Sequence, residues 1–205
     1  MNRRSALKNL TMSLGYTVAA PTILNILASC TAEAETWKPL FLSPEEKYMV
    51  THLADIILPT TDIPGALDVN IPQFLDLMYH DIEKKENQEL FKKGAAIFAK
   101  KISISILESK KEDFEKLLSA CFNIPKEDSK LLLKEQKLPL AKIKEDKIEN
   151  YTLYKFLLSV KYYTLFGYFT SEEVGENILA YDPIPGNYQA CISVDEATGG
   201  RAWSL

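Results

Sequence analysis

The sequence is poor in the residues from which most catalytic centres are built. Two histidines, three cysteines and eight glycines occur among 205 residues. The glycines are scattered, with no G-x-G-x-x-G to seat a dinucleotide and no P-loop to cradle phosphate. No C-x-x-C-H attaches a haem, and no paired C-x-x-C offers a zinc or iron–sulfur site. Beyond Cys30 only Cys121 and Cys191 remain, too few for a disulfide scaffold. One bridge between them is open in an oxidising compartment, although Cys121 falls on an apolar helix stripe. The chain also lacks a basic surplus, its formal charge being −4. Nucleic acid is therefore not an expected partner, since phosphate binding needs clustered Lys and Arg. The lysine pairs at 84–85, 92–93, 100–101 and 110–111 alternate with acids, as on a solvated helix face.

The two histidines fall on different predicted helices. Asp76 and His80 stand at i, i+4, and His52 and Asp55 at i, i+3, so each pair could touch. A helical histidine beside a carboxylate is far more often a surface pair than an acid/base or metal site. Glu172 and Glu173 sit in a predicted first helical turn, where the helix dipole favours acids. The expectation is a chain with no catalytic, cofactor-binding or metal-ligating residues of its own.

What is present begins at the N-terminus. "NRRSALKNL", residues 2–10, carries Arg3, Arg4 and Lys8, and no acid precedes Glu33. A weakly apolar stretch follows, interrupted by Gly15, Pro21 and Asn25. A membrane anchor needs about 20 mostly apolar residues, and Pro21 with Asn25 weakens the centre of this one. The pattern S/T-R-R-x-F-L-K of twin-arginine export is met at Arg3, Arg4, Leu7 and Lys8 and missed at Asn2 and Ala6. Ordinary secretion is the alternative route. "LASC", residues 27–30, has the form of a lipobox, in which small residues flank the cut and Cys30 receives the lipid. Acyl chains contribute about 0.8 kcal/mol per buried methylene, enough for two or three to hold a protein on a bilayer. The expected layout is a signal peptide over 1–29, an acylated Cys30 and a polar tether over 30–42. A helical domain over 43–192 and a tail over 193–205 complete it. The mature chain would lie on the periplasmic side of a bacterial membrane, lipid-anchored. Losing the leader with Arg3, Arg4 and Lys8 takes its formal charge from −4 to −7.

The body reads as all-α, a single compact domain of about six helices with an extended, proline-containing C-terminal segment. "SPEEKYMVTHLADIIL" opens with Ser43 as N-cap, Pro44 at the first helical position and Glu46 closing a capping box. Its predicted stripe is Met49, Leu53, Ile56 and Ile57, and Pro59 ends it. "IPQFLDLMYHDIE" follows with Phe74, Leu75, Met78 and Ile82 facing inward. Further helices are predicted over 87–107, over 110–122 with Ser109 as cap, and over 148–167. The last carries Leu153, Phe156, Leu157, Val160 and Thr164 on one side and ends at Gly167. Residues 126–147 read as a charged surface excursion. Thr170 is predicted to cap a short helix, with Glu173 closing its box.

Two loops are too particular to be filler. "ILPTTDIPGALD", residues 57–68, sets Pro59, Pro64 and Gly65 around Asp62, a rigid turn with an acidic oxygen able to cap it. "GYFTSEEVGENILAYDPIPGNYQAC", residues 167–191, restricts φ at Pro183 and Pro185 and flanks the stiff part with tyrosines. A pre-ordered, aromatic segment loses little entropy on binding. It reads either as a docking segment or as a lid over the helical core.

"ADIILPTTDIPGA", "GYFTSEE" and "YDPIPGNYQAC", in this order behind a twin-arginine leader, resemble the gluconate 2-dehydrogenase subunit 3 family over residues 43–192. The resemblance implies a small, non-catalytic subunit of a membrane-associated dehydrogenase. FAD would sit in a glucose–methanol–choline-type partner that oxidises a sugar or sugar acid, often with a cytochrome c subunit accepting electrons. The small subunit is implied to assist maturation and to carry the flavoprotein out. The partner interface would then include Asp62, Pro64, Gly65, Tyr168, Thr170, Ser171, Tyr181, Pro183, Pro185, Gly186 and Tyr188. The alternative is a free-standing helical envelope lipoprotein that binds a glycan or another envelope protein.

Overall fold

A computed structural model of the chain describes residues 37–204, apart from Ser103, Pro185 and Gln189. Arg3, Arg4, Cys30 and Pro185 thus lie outside the described residues. By its contacts the chain divides into Met1–Lys38 and Pro39–Leu205. The second unit is the helical body, all-α as the sequence predicts. Six helices of seven residues or more occur among the described residues: α1 (Pro44–Ile57), α2 (Ile71–Leu77), α3 (Lys85–Lys101), α4 (Lys111–Phe122), α5 (Lys126–Glu135) and α6 (Ile148–Phe169). A five-residue α7 (Val194–Thr198) follows near the C-terminus. The one β-type pairing among the described residues is an isolated bridge between Ala180 and Trp203.

α6 is the axis. Its 22 residues span about 33 Å at 1.5 Å per residue, and α1, α2 and α3 pack around it. Leu153, Phe156, Leu157, Val160 and Thr164 are buried as predicted. α3 crosses closely because Gly94 has no side chain; a Cβ there would lie 2.5 Å from that of Phe156 and 2.6 Å from the Thr152 carbonyl oxygen. Phe91 meets Phe156 edge-on at 4.9 Å, and Phe98 stacks on Phe114 at 6.2 Å, which extends the core to α4.

α1 has the predicted start. Ser43 Oγ accepts from the Glu46 N–H at 3.2 Å, and the Glu46 carboxylate accepts from the Ser43 N–H at 2.7 Å. Its buried face is Met49, Val50, Leu53 and Ala54, one step round from the predicted stripe. Ile56 and Ile57 stay half-buried because the helix ends there, at the margin of the core.

α2 departs from the prediction for a clear reason. After Leu77 the chain widens into a π turn, Met78–Ile82, closed by Glu83 N–H donating to Met78 O at 3.0 Å. The wider turn rotates the following side chains. Tyr79 is buried, whereas Ile82, predicted to face inward, is 67% exposed. His80 is likewise carried away from Asp76 and pairs with its neighbour Asp81 at 2.6 Å. Asp76, 1% exposed, instead accepts three backbone N–H groups, from Leu40 at 2.7 Å, Phe41 at 3.0 Å and Leu42 at 2.8 Å. Lys92 closes the same joint: its Nζ donates to Phe41 O at 2.6 Å, pairs with Glu46 and lies 4.1 Å above the Phe41 ring.

Other expectations are corrected at helix ends. α3 stops at Lys101, not 107, because the Ile-Ser run that follows is a poor helix former. Lys110, not Ser109, is the N-cap of α4, and its N–H is taken by Asp113 at 2.9 Å. Ser109 instead closes the preceding turn, its hydroxyl donating to Ser105 O at 2.9 Å. The charged excursion is on the surface but largely helical, since α5 buries no residue. It is tied to α6 by polar bonds such as Tyr151 Oη to Leu138 O at 2.9 Å. Gly167 does not end α6, and Thr170 is its C-cap rather than the N-cap of a new helix; the Thr170 hydroxyl donates back to Phe166 O at 2.8 Å. Cys121 and Cys191 are both free.

Asp76→Asn tests the clamp. The amide keeps one acceptor oxygen where the carboxylate has two, and turns an NH2 toward buried donors. We expect a loss of about 2–4 kcal/mol, read as a lower urea midpoint at unchanged slope.

Candidate partner-docking surface

The two loops singled out in the sequence meet in space. Tyr168, buried at the end of α6, donates its phenolic O–H to Pro64 O at 2.6 Å, across 104 residues of chain. Burial raises the Tyr168 phenol above its ordinary range, so it remains a donor. Around this bond a small core forms from Ala54, Ala66, Ile71, Tyr168 and Val174, with Leu58, Val69, Ile178 and Leu179 packed on it.

The first loop is rigid by sterics. Ala66 N–H donates to Leu58 O at 2.8 Å, and Gly65 is pressed into the fold-back. A Cβ on Gly65 would lie 2.4 Å from the Thr60 nitrogen and 2.7 Å from the Pro59 carbonyl carbon, closer than any side chain tolerates. The acid that caps this turn is Asp68 and not Asp62. Its Oδ2 accepts from Thr60 Oγ1 at 2.6 Å and from the Gly65 N–H at 2.7 Å, and these bonds hold its carboxyl below the usual range. Asp62 is exposed at the tip.

The second loop hangs from the same joint. Ser171 Oγ donates to Tyr168 O at 2.8 Å, and a π turn, Glu173–Ile178, leads to Ala180. Ala180 pairs with the C-terminal segment through its own N–H to Ala202 O and through Ser204 N–H to its carbonyl, both at 2.8 Å. Beyond Ala180 the segment turns outward. Tyr181, Pro183, Ile184, Gly186 and Tyr188 are exposed, Tyr188 at 92%. Side chains covering a core would be buried, so at these positions the segment is not a lid. Of the sequence-derived interface residues, Gly65 and Tyr168 are buried and set the shape, Pro64 and Ser171 are half-buried, and Asp62, Thr170, Tyr181, Pro183, Gly186 and Tyr188 face solvent.

The sequence reading missed the aromatic row on the outer face of α6. Tyr162, Phe166 and Phe169, at i, i+4 and i+7, are 60%, 39% and 39% exposed. Tyr162 stacks on Phe166 at 5.9 Å, and Phe74 of α2 adjoins Phe166 at 6.0 Å. The signal was available: α6 is apolar on all sides, and such a helix requires burial all round.

The histidines do not assemble a reactive centre. His52 lies edge-on to Tyr48 at 4.4 Å and stacks on Phe114 at 5.0 Å, while Asp55 pairs with Lys111 at 2.6 Å. No group of three or more His, Cys, Asp and Glu residues suited to a metal occurs among the described residues. An apolar cleft of about 290 Å³ opens between α1, α4 and α6, with Lys161 at its edge. It lacks the converging polar groups that orient a substrate.

The fold and its exposed joint define a helical docking module rather than a reaction centre. A family model, that of gluconate 2-dehydrogenase subunit 3, matches residues 44–186. The chain belongs to the gluconate 2-dehydrogenase subunit 3 family, and by that membership it is a dehydrogenase subunit. No match was found among curated proteins or solved structures.

Two predictions follow from this geometry. Tyr168→Phe removes one hydrogen bond and costs about 1 kcal/mol, while Gly65→Ala forces the turn open and costs more; thermal melts give the order. Burial holds the His52 imidazole below its ordinary 6.5, so the folded chain takes up its proton less readily than the unfolded one. The stability supported by neutral His52 is full above that value and falls as pH drops through it toward the lower folded value. His52→Gln should therefore lose less Tm than the wild type between pH 7.5 and pH 5.5.

Proposed function

We propose that this chain is the non-catalytic small subunit of a flavin-dependent, glucose–methanol–choline-type sugar or sugar-acid dehydrogenase. It assists maturation of the catalytic flavoprotein, carries it through the twin-arginine route and holds it at the membrane by lipid on Cys30. FAD belongs to the partner, and a cytochrome c subunit is a second candidate partner. The observation that carries this reading is the Tyr168–Pro64 joint. It unites the two motif loops within the family-matched region, with the flanking residues left outward. A chain that invests its most particular sequence in a rigid, exposed joint, and places no acid/base pair there, is built to be bound. The acidic body and the lipobox support the periplasmic, lipid-anchored placement.

Replacing Arg3 and Arg4 with Lys tests the reading, because Lys lacks the planar guanidinium that such a site reads. Fractionation of cells bearing both chains should find the flavoprotein stranded in the cytoplasm with this one. A flavoprotein that still reaches the periplasm would refute the carrier role.

A further inference from the structure

Single exposed apolar side chains are ordinary on a protein surface, but a contiguous patch marks something that binds. The outer face of α6 is contiguous. Tyr162 and Phe166 lie parallel, with only 6° between ring planes. Phe74 and the 40% exposed Leu77 of α2 extend the row sideways. Phe169 extends it toward the joint, its ring edge-on to Tyr168 at 5.5 Å. The row is thus continuous with the loops already described, and Ile63 is exposed beside Pro64.

Charge identifies what fits this face. At the joint end the exposed acids are Asp62, two residues before Pro64, and Glu172 and Glu173, three and four residues beyond Phe169. At the other end the one exposed cation next to the row is Lys161. An anionic bilayer is a poor match, since an acidic rim is repelled by it. No helix among the described residues is long and apolar enough to cross a membrane. A second copy is also a poor match, because an antiparallel pair sets one Lys161 against three acids on each side. A surface of opposite rim charge fits both features.

We infer that the row Tyr162, Phe166 and Phe169 is the main docking strip for the catalytic subunit, and that this partner presents an apolar patch bordered by Lys or Arg on its joint side. The inference rests on the subunit reading above and adds where the partner's weight falls and what its surface is. The strip supplies the desolvated aromatic centre of the interface, and the acids give orientation and encounter rate.

The test uses the full chain co-expressed with the flavoprotein catalytic subunit, and measures Kd by interferometry at 50 and 300 mM NaCl. Tyr162→Ser with Phe166→Ser should weaken binding about 30-fold or more, with helicity and Tm unchanged because both side chains are exposed. If the double variant loses helicity, Tyr162→Arg alone provides the same reading. Wild-type binding should weaken several-fold at the higher salt, and Glu172→Lys with Glu173→Lys should remove most of that sensitivity. A Kd within twofold of wild type for the strip variants overturns the strip while leaving the subunit reading intact. Failure of the wild type to bind the flavoprotein overturns both. An isolated chain that dimerises through this face, and becomes monomeric in the serine variant, assigns the strip to a second copy and overturns the inference.

Discussion

A helix that is apolar on every side has to be covered on every side, and α6 sets that demand for the whole molecule. Water is excluded from it by α1, α2 and α3, with Gly94 letting α3 come close enough to bury Phe156. Each of those helices is positioned by what α6 needs rather than by its own stability. α1 has 14 residues and α2 only seven, lengths that are marginal in isolation. Their burial against a shared axis stabilises all of them together. The demand is met over the first half of α6 and left unmet on one face of the second half. That face carries Tyr162, Phe166 and Phe169.

The polar groups inside this arrangement obey the complementary rule that a buried charge must be partnered. Asp76 sits at 1% exposure and is tolerated because three amides point at it. The same three bonds solve a second problem, since residues 40–42 are not helical and would otherwise have unpaired amides. Lys92 then satisfies the Phe41 carbonyl and the Glu46 carboxylate together. Residues 40–42, assigned to the tether from sequence, are thereby fixed to the body. Entry of the chain into the fold is as well determined as any helix packing.

Much of this was legible in the sequence, and the failures share a cause. The capping box of α1 and the stripe of α6 follow from local rules, and both are as read. Ile82, the Asp76–His80 pair and the expected ending at Gly167 went astray because each depended on a neighbour distant in sequence. A π turn displaced the first two. At Gly167 the helix continues because a Cβ there would lie 2.5 Å from the Phe74 ring, so glycine serves packing rather than termination. Asp62 and Asp68 were equally available to cap the first loop, and only the Thr60 and Gly65 hydrogen bonds distinguish them. The aromatic row was overlooked because a helix apolar all round suggests full burial, and only the packing reveals which face has no cover.

The geometry bears on why such a chain would travel folded. The joint is made by Tyr168 and Pro64, separated by 104 residues, and the strip beside it is defined by α2 and α6 packing together. Neither surface exists in the unfolded chain, where the same residues are dispersed. A partner that recognises them therefore recognises the folded state alone, and its binding adds to the stability of that state by mass action. On the proposed reading, a pair of this kind cannot be threaded across a membrane as extended chains without losing the interface that joins them. A leader for folded cargo on one chain then serves both, and the rigidity of Gly65, Asp68 and Tyr168 keeps the interface intact in transit.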